Sequence, residues 1–333
     1  MKNTSVPITR AHSTYAGGIE ASGGDVASAS VRAGFDDGRA SGPLAGLPSR
    51  SRGRRQSDVA SAGLSTEERA MIGVARWPDP RFDTSGAPAN VAYGHRFADA
   101  VDQAALQLNE GELKSFADLW GFARYWRSNQ EGATSDFGQS RSPSTGSSMT
   151  PVTDRYEFLA DRVKQANAAE VSNHFMGRSD IQQVKLLQHV EIEGKMIRLT
   201  EIRLPYLAES SFTELADVGG MIRPLISHVP ASRIPTLLNE VDRSFAVLRK
   251  TLRLEDRMQI LGKMHWLLAH AMPDVRGSAA KAEMCIRAIG TSLGLTMPPF
   301  RHGVIPDLEA FVVPMEDFSK GYSALFERPP TQK

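Results

Sequence analysis

Cysteine is almost absent from this chain of 333 residues, in which Cys285 is the only one. A single cysteine excludes an internal disulfide framework and a zinc site built on cysteine ligands. Cys285 lies in an apolar helical pattern between Met284 and Ile286, where a core residue is far more common than a nucleophile. The sequence therefore predicts a protein of a reducing compartment that folds without disulfide bonds.

An excess of charge is also lacking, because 39 Lys and Arg residues face 38 Asp and Glu residues. This balance gives no general attraction to nucleic acid or to an acidic membrane surface. No apolar run approaches the ~20 residues of a membrane helix. The first residues, MKNTSVPITR, lack both the apolar core of a secretory signal and the Gly that N-myristoylation uses. We expect a soluble protein with no nucleic-acid partner and no direct membrane insertion.

Large hydrophobic residues are scarce in residues 1–64, which are rich in Ser, Ala and Gly. Such a segment cannot bury enough apolar area to offset the entropy of ordering it, so we predict disorder there. Its basic cluster SRSRGRRQS, at 49–57, is interpreted as a solvated linker in preference to a nucleic-acid or lipid patch. Residues 65–333 are predicted to form one domain, interrupted by a mobile Ser- and Gly-rich loop at 129–150.

Within that domain, helical signals predominate. Capping-box spacing marks helix starts at Ser65 and Ser115, and a further helix is predicted from Pro88 to Leu108. Apolar and polar residues alternate over residues 184–207 on both sides of Glu193-Gly194, which indicates a β-hairpin. The pattern predicts a mainly helical α+β fold with a small β-hairpin or sheet.

The stretch HWLLAHAMPDVRGSAAKAEM, residues 265–284, joins two predicted helices through a turn. His265 falls on the apolar face, where we expect a hydrogen-bonded core histidine rather than a catalytic one. His270 lies off that face, and we expect it to be partly exposed to solvent.

The turn itself has the features of an anion site. A helix that restarts near Gly277 presents its first N–H groups, beginning at Ser278, and Arg276 precedes them. The alternative is an ordinary corner in which Arg276 pairs with an internal carboxylate. Asp307 follows Pro306 before a short apolar helix, where its default role is helix capping and its alternative role is general base.

Four blocks of this sequence resemble the AvrB-type type III effectors of plant-pathogenic bacteria. They are IGVARWPD (72–79), KSFADLWGFARYWR (114–127), MPDVRGSAAKAE (272–283) and MPPFRHGVIPDLEA (297–310). MTPVTDRY, at 149–156, is similar to the family's Thr-Pro segment with a Tyr six residues on. The resemblance implies a two-lobed, mainly helical fold related to Fic and Doc proteins, the Fido fold.

Because the family is related to Fic enzymes, this sequence can be compared with their catalytic motif, which is His-Pro-Phe-x-(Asp/Glu)-Gly-Asn-(Gly/Lys)-Arg. Aligned on Pro273 and Gly277, the general base of that motif becomes Met272 and its magnesium-binding acid becomes Arg276. A thioether cannot accept the proton of a hydroxyl group, and a guanidinium repels a divalent cation. AMP transfer with Mg²⁺ is therefore disfavoured, and no metal is expected.

The resemblance implies glycosyl transfer, in which rhamnose moves from UDP- or dTDP-rhamnose to a Thr or Ser of a host plant immune regulator. The family's essential Thr, Arg and Asp match Thr150, Arg276 and Asp307, which are the expected catalytic residues. Donor binding is assigned to a further set, namely Tyr156, Gly277, Ser278 and Arg301. Delivery by a type III system into the host plant cell is implied, to the cytosol or the periphery of the plasma membrane.

Target docking is implied for the segment LISHVPASRIP, residues 225–235, where the similarity to the family is poor. His228 and Arg233 are the docking candidates, and a plain surface role is the alternative for both. A host kinase or immune receptor is a further candidate partner. The competing function is a non-catalytic module that binds a host peptide or a nucleotide and perturbs an immune complex.

Overall fold

A computed structural model describes residues 63–145, 149–166, 169–172, 181–207 and 225–332. The predicted disorder of residues 1–64 and the basic cluster at 49–57 therefore lie almost wholly outside the described residues. The helices are α1 (Thr66–Met71), α2 (Pro88–Asn109), α3 (Phe116–Ser128), α4 (Glu157–Gln165), α5 (Ile234–Leu248), α6 (Leu254–Ala271), α7 (Ser278–Ser292), α8 (Pro306–Val312) and α9 (Met315–Gly321). The strands are β1 (Met149–Pro151), β2 (Ala169–Ser172), β3 (Ile181–Ile192), β4 (Lys195–Leu207), β5 (Leu225–Ser227), β6 (Leu295–Thr296) and β7 (Thr331–Gln332).

The predicted helix starts are confirmed. Ser65 accepts a hydrogen bond from the Glu68 backbone, and the Glu68 carboxylate accepts one from the Ser65 backbone. Ser115 and Asp118 form the same capping box before α3. Each box satisfies N–H groups that the first helical turn leaves without a partner.

A five-stranded antiparallel sheet, in the order β1-β5-β4-β3-β2, includes the predicted hairpin. The chain reverses at Glu193 and Gly194, which both have positive φ angles, of 53° and 72°. Two positive angles match the twist of a tight hairpin turn. Strands β1, β2 and β5 carry no sequence signal that predicts them. A separate antiparallel pair, β6 and β7, joins the end of α7 to the C-terminal segment.

The Gly194 position allows a test of the turn. We expect Gly194→Ala to lower the free energy of unfolding by about 1 kcal/mol, because only the backbone angle disfavours a side chain there. The matched variant is Gly121→Ala, at an exposed position of α3 where an added Cβ also meets no atom within 4 Å. That change is expected to raise the free energy of unfolding by about 0.5–1 kcal/mol. Urea denaturation measures both changes in the free energy of unfolding. If the two substitutions lower it by similar amounts, the positive φ angle of Gly194 is not the cause.

Helix α6 forms the centre of the domain and packs against α5, α7, α8 and α9. It is apolar on most of its circumference, as expected for a helix enclosed by others. Cys285 on α7 is buried, as predicted, and burial raises the pKa of its thiol. In the part of the chain that the structure describes, no helix is long and apolar enough to cross a membrane.

The two histidines of α6 are both core residues. His265 is buried, and its Nδ1 lies 2.7 Å from the hydroxyl of Tyr322, which confirms the prediction. The expectation that His270 is partly exposed is wrong, because its side chain is fully buried. Its two ring nitrogens lie 2.8 Å from Thr200 Oγ1 and 3.1 Å from the Ala310 carbonyl. Helical spacing did not reveal this burial, because α6 is covered on nearly every side.

Residues 129–145 are bonded to the turn between α6 and α7. The Arg141 backbone donates to the Pro273 carbonyl, and the Val275 backbone donates to the Gln139 carbonyl. The Arg141 side chain donates to the carbonyls of Ala271, Met272 and Val229. The mobility predicted for 129–150 stays a prediction, and residues 146–148 lie outside the described residues.

Candidate functional site

A cavity of about 70 Å³ lies where three of the four sequence blocks meet. The first block contributes residues 73–76, and the third contributes Ala279, Ala280 and Glu283. The fourth contributes Phe300 and residues 304–307, so that Asp307 lines the cavity. Segments far apart in the sequence thus form one small, mostly apolar space with a carboxylate on its wall.

Asp307 is the side chain in this cavity that is best suited to accept a proton. Its side chain is only 4% exposed, and Oδ2 has no hydrogen-bond partner. Burial raises the pKa of Asp307 to about 6, and Glu283 raises it further, whereas the N–H groups of Asp307 and Leu308 lower it. The carboxylate is therefore mostly ionised at neutral pH but poorly solvated, as in many general bases.

The interpretation of Asp307 as a helix cap is wrong. Ile305 is the N-cap of α8, Pro306 occupies the first turn, and Asp307 follows it inside the helix. Pro is favoured at this position because its fixed φ suits a helix start and its missing N–H costs nothing there. The carboxylate of Asp307 consequently remains available to the cavity.

A second carboxylate and a histidine also line the same cavity, and both are held by neighbours. Glu283 accepts hydrogen bonds from the Gly73 backbone, at 3.0 Å, and from Arg287 Nε, at 2.6 Å. Burial lowers the pKa of His265 to about 3, so its ring is neutral. In the described segments of the chain, no three His, Cys, Asp or Glu side chains are grouped to hold a metal ion.

The turn that precedes α7 is fixed by a buried ion pair. Lys281 Nζ lies 2.6 Å from Asp274 Oδ2, and neither side chain is exposed. Arg124 of the second block donates to the same carboxylate, with NH2 at 2.6 Å from Oδ1. Lys281 also donates to the carbonyls of Phe137 and Arg276. These contacts hold the backbone of the turn in a single arrangement.

Gly277 is the N-cap of α7 and has a φ of 71°. A Cβ at this position would lie 2.8 Å from the Phe137 ring, so both the angle and the space require glycine. The hydroxyl of Ser278 is bonded to the backbone of Asp274, accepting from its N–H and donating to its carbonyl. Ser278 therefore offers a ligand its N–H group rather than its hydroxyl. Because Ala279 and Ala280 line the cavity, the positive end of α7 lies beside Asp307.

Arg276 is half-buried, and its guanidinium carbon lies 5.0 Å from the centre of the Phe137 ring. The carboxylate nearest to it in sequence, Asp274, is held by Arg124 and Lys281. Arg276 therefore does not rely on Asp274 for its position, and its role in an anion site stays a prediction.

Thr150 and His228 are brought together by the sheet. Thr150 on β1 lies opposite Ile226 on β5, and its Oγ1 is 2.8 Å from His228 Nε2. Burial lowers the pKa of His228 to about 3, and Arg141 lowers it further, so the ring is neutral. The His228 ring contacts Phe311 on α8, the helix that carries Asp307. Because His228 is buried, the plain surface role is wrong for this residue, and its part in target docking stays a prediction.

The remaining predicted residues divide into one near the cavity and two exposed ones. Tyr156 is buried, its ring meets Trp77 edge-on at 5.6 Å, and burial together with the Asp307 carboxylate raises the pKa of its phenol. Arg301 is exposed, and its backbone N–H donates to the Leu325 carbonyl. Arg233 is exposed in a short 3₁₀ helix before α5. Their roles in donor binding and docking stay predictions.

Three residues that surround the turn before α7 were not predicted from the sequence, namely Phe137, Arg127 and Arg141. Phe137 and Arg141 lie in the Ser- and Gly-rich segment that was interpreted as a loop, where no periodicity marks a buried residue. Arg127 ends the second block, and only its place in that block could have drawn attention to it.

The sequence blocks that meet at the cavity lie within a region that matches a known protein family. The model of the AvrB/AvrC family, whose description is "Avirulence protein", matches residues 26–329. The chain belongs to the AvrB/AvrC family. It is also similar to the Avirulence protein B of Pseudomonas savastanoi pv. glycinea, with 29% identity over 287 residues. That alignment covers 79% of this chain and 88% of the relative.

Proposed function

We propose that this AvrB/AvrC-family protein is a glycosyltransferase effector that acts inside a host plant cell. It transfers rhamnose from UDP- or dTDP-rhamnose to a Thr or Ser hydroxyl of a host immune regulator. The observation that carries the proposal is Asp307: a buried carboxylate with an unpartnered oxygen and a pKa of about 6, on a cavity beside the start of α7. Ionised yet poorly solvated, it is suited to take a proton from a hydroxyl group.

In the proposed reaction, the acceptor oxygen forms a bond to the anomeric carbon of the sugar. The bond from that carbon to the diphosphate oxygen breaks, and the nucleoside diphosphate leaves with the electron pair. Asp307 accepts the hydroxyl proton. Arg276 and the N–H groups that follow Gly277 stabilise the negative charge that develops on the leaving diphosphate. Thr150, whose Oγ1 is 2.8 Å from His228 Nε2, and Tyr156 are assigned to positioning the substrates.

The proposal includes a relation to the two-lobed Fido fold of Fic and Doc proteins, with different chemistry. Position 272 holds a Met, which caps α6 with a φ of 42° and cannot act as a base. Position 276 holds an Arg, which favours an anion rather than a magnesium ion. The host partner is an immune regulator, with a host kinase or immune receptor as a further partner. The proposed location is the host cytosol or the periphery of the plasma membrane.

Intact-protein mass spectrometry tests the proposal. Candidate host immune proteins are incubated with the full chain and UDP- or dTDP-rhamnose, and we expect a gain of one deoxyhexose. Arg276→Ala is expected to slow this gain by about 10²–10³-fold, because one donor to the developing charge is lost. The matched control is Arg249→Ala, which removes an exposed arginine at the end of α5 and is expected to leave the rate unchanged.

The alternative function has a distinct outcome in the same experiment. Tight binding of a host protein, with no mass change from any sugar nucleotide, identifies a non-catalytic binding module. Loss of target binding in Arg276→Ala, with the fold intact, makes Arg276 a docking residue rather than a donor-binding one.

A further inference from the structure

Arg127, at the end of α3, is an arginine buried without an anionic partner. Its side chain is 7% exposed, and its Nε is buried with no hydrogen-bond partner. Its guanidinium carbon lies 3.9 Å from the centre of the Phe137 ring and 5.7 Å from that of Tyr93. Within the described ranges of the chain, no carboxylate is within ion-pair distance of this group.

A second cation lies beside it. The guanidinium of Arg276 stacks on the same Phe137 ring, 5.0 Å from its centre. Burial is the main cause that lowers the pKa of Arg127; Tyr93 opposes this effect, and the nearby charge of Arg276 adds a smaller lowering effect. Two guanidinium groups around one ring repel each other, and stacking on aromatic rings offsets only part of that cost. An anion between them reverses the sign of the interaction.

The start of α7 adds a third positive element. No residue that the structure describes accepts a hydrogen bond from the backbone N–H of Ser278, Ala279 or Ala280. The Arg127 side chain abuts this helix start, because a Cβ at Gly277 would lie 3.5 Å from Arg127 Cγ. Phe137 therefore contacts the helix start and both guanidinium groups.

We propose that Arg127 is an anion-binding residue that, with Arg276 and the start of α7, holds the diphosphate group of a nucleotide. Arg127 contributes a charged fork that is already held against the rings of Phe137 and Tyr93, so little side-chain entropy is lost on binding. The diphosphate is its ligand because a helix start and two arginines match two adjacent phosphate groups. The identification of this diphosphate as part of a sugar nucleotide rests on the proposed function.

Calorimetric titration of the full chain with inorganic pyrophosphate, and separately with UDP, tests the inference. Arg127→Met keeps an unbranched apolar side chain at this buried position but removes the charge, and we expect pyrophosphate affinity to fall about tenfold or more. Arg127→Lys keeps the charge and loses the fork, and we expect an intermediate affinity. Without ligand, the melting temperature of Arg127→Met is expected to equal or exceed that of the unmodified protein, because a buried cation is removed.

Arg249→Met is the matched control, since Arg249 also lies over an aromatic ring, Phe245, at 5.8 Å but is exposed on α5. It is expected to leave pyrophosphate affinity unchanged. Absence of pyrophosphate binding to the unmodified chain overturns the inference. Unchanged affinity in both Arg127 variants overturns it too, and makes Arg127 a packing residue. Because binding is measured without sugar transfer, pyrophosphate held through Arg127 in a protein that transfers no sugar refutes only the proposed function.

Discussion

Replacing Asp307 with Asn is expected to make the fold more stable at neutral pH while removing sugar transfer. The Asp307 carboxylate is ionised at neutral pH although it is buried and one of its oxygens has no partner. An amide of the same shape is uncharged and is buried at lower cost, so the free energy of unfolding at pH 7 should rise by up to about 3 kcal/mol. Transfer should fall about 10²–10⁴-fold, because the amide cannot accept the hydroxyl proton.

The pH dependence follows from the direction of the pKa shift. The folded-state pKa of Asp307, about 6, is above the ordinary value of an unfolded Asp, roughly 3.9. The neutral form is therefore favoured by folding, and this contribution is complete below about pH 4 and is lost as pH rises to about 6. The stability gained by Asp307→Asn should be absent at pH 4 and complete by pH 7. Urea denaturation at several pH values measures it, and transfer by the unmodified protein should decline below about pH 6.

Glu309→Gln is the matched control, because Glu309 lies on the same helix and undergoes the same chemical change. Its carboxylate is paired with Arg162, with Oε1 at 2.6 Å from NH1. Neutralising it removes that ion pair, so a small loss of stability at neutral pH is expected, opposite in sign to the effect at Asp307. A loss of stability in Asp307→Asn at pH 7 would show that a charged Asp307 stabilises the fold, and would remove the basis for its role as a base.

Local features of the fold could be predicted from the sequence because the interactions that create them are local. Capping boxes at Ser65 and Ser115 each join residues three positions apart. The hairpin turn needs only the angles that Glu193 and Gly194 adopt. The position of Gly277 before α7 is of the same kind, since a helix start depends on neighbouring residues. Each of these features is determined by residues that are close together in the sequence.

Features that depend on distant segments could not be predicted in this way. Strands β1 and β5 have three residues each; β1 pairs with β5, and β5 pairs in turn with β4. His270 is buried because β4 and α8 cover it, which helical spacing does not reveal.

The same reasoning applies to the candidate site. The family resemblance selected Asp307 and Arg276, but their surroundings became evident only in the fold. Whether Asp307 caps a helix or faces a cavity depends on which residue begins α8 and on segments from two other blocks. Arg127 reaches the start of α7 only because α3 and the segment of Phe137 pack there.

Asp274→Asn is expected to be the most destabilising of the substitutions considered, at about 3–5 kcal/mol. The change is nearly isosteric, so its effect is electrostatic. It leaves the ammonium group of Lys281 buried among carbonyl groups, and it removes the charge that Arg124 binds. Urea denaturation should show a lower midpoint with an unchanged slope. Because Lys281 also holds the Arg276 carbonyl, pyrophosphate affinity should fall under conditions where the variant remains folded.

A double-mutant cycle with Lys281→Met separates the buried pair from the rest of the network. If the cost of Asp274→Asn arises from an unpaired Lys281, removing that charge in the same chain should recover part of the stability. The expected coupling between the two positions is about 0.5–3 kcal/mol. Recovery should be incomplete, because Arg124 and Trp120 also donate to Asp274. Those hydrogen bonds are weakened in Asp274→Asn and equally in the double variant. Additive losses would instead place the cost in the contacts of Arg124, and the turn before α7 would then depend on α3 rather than on its own lysine.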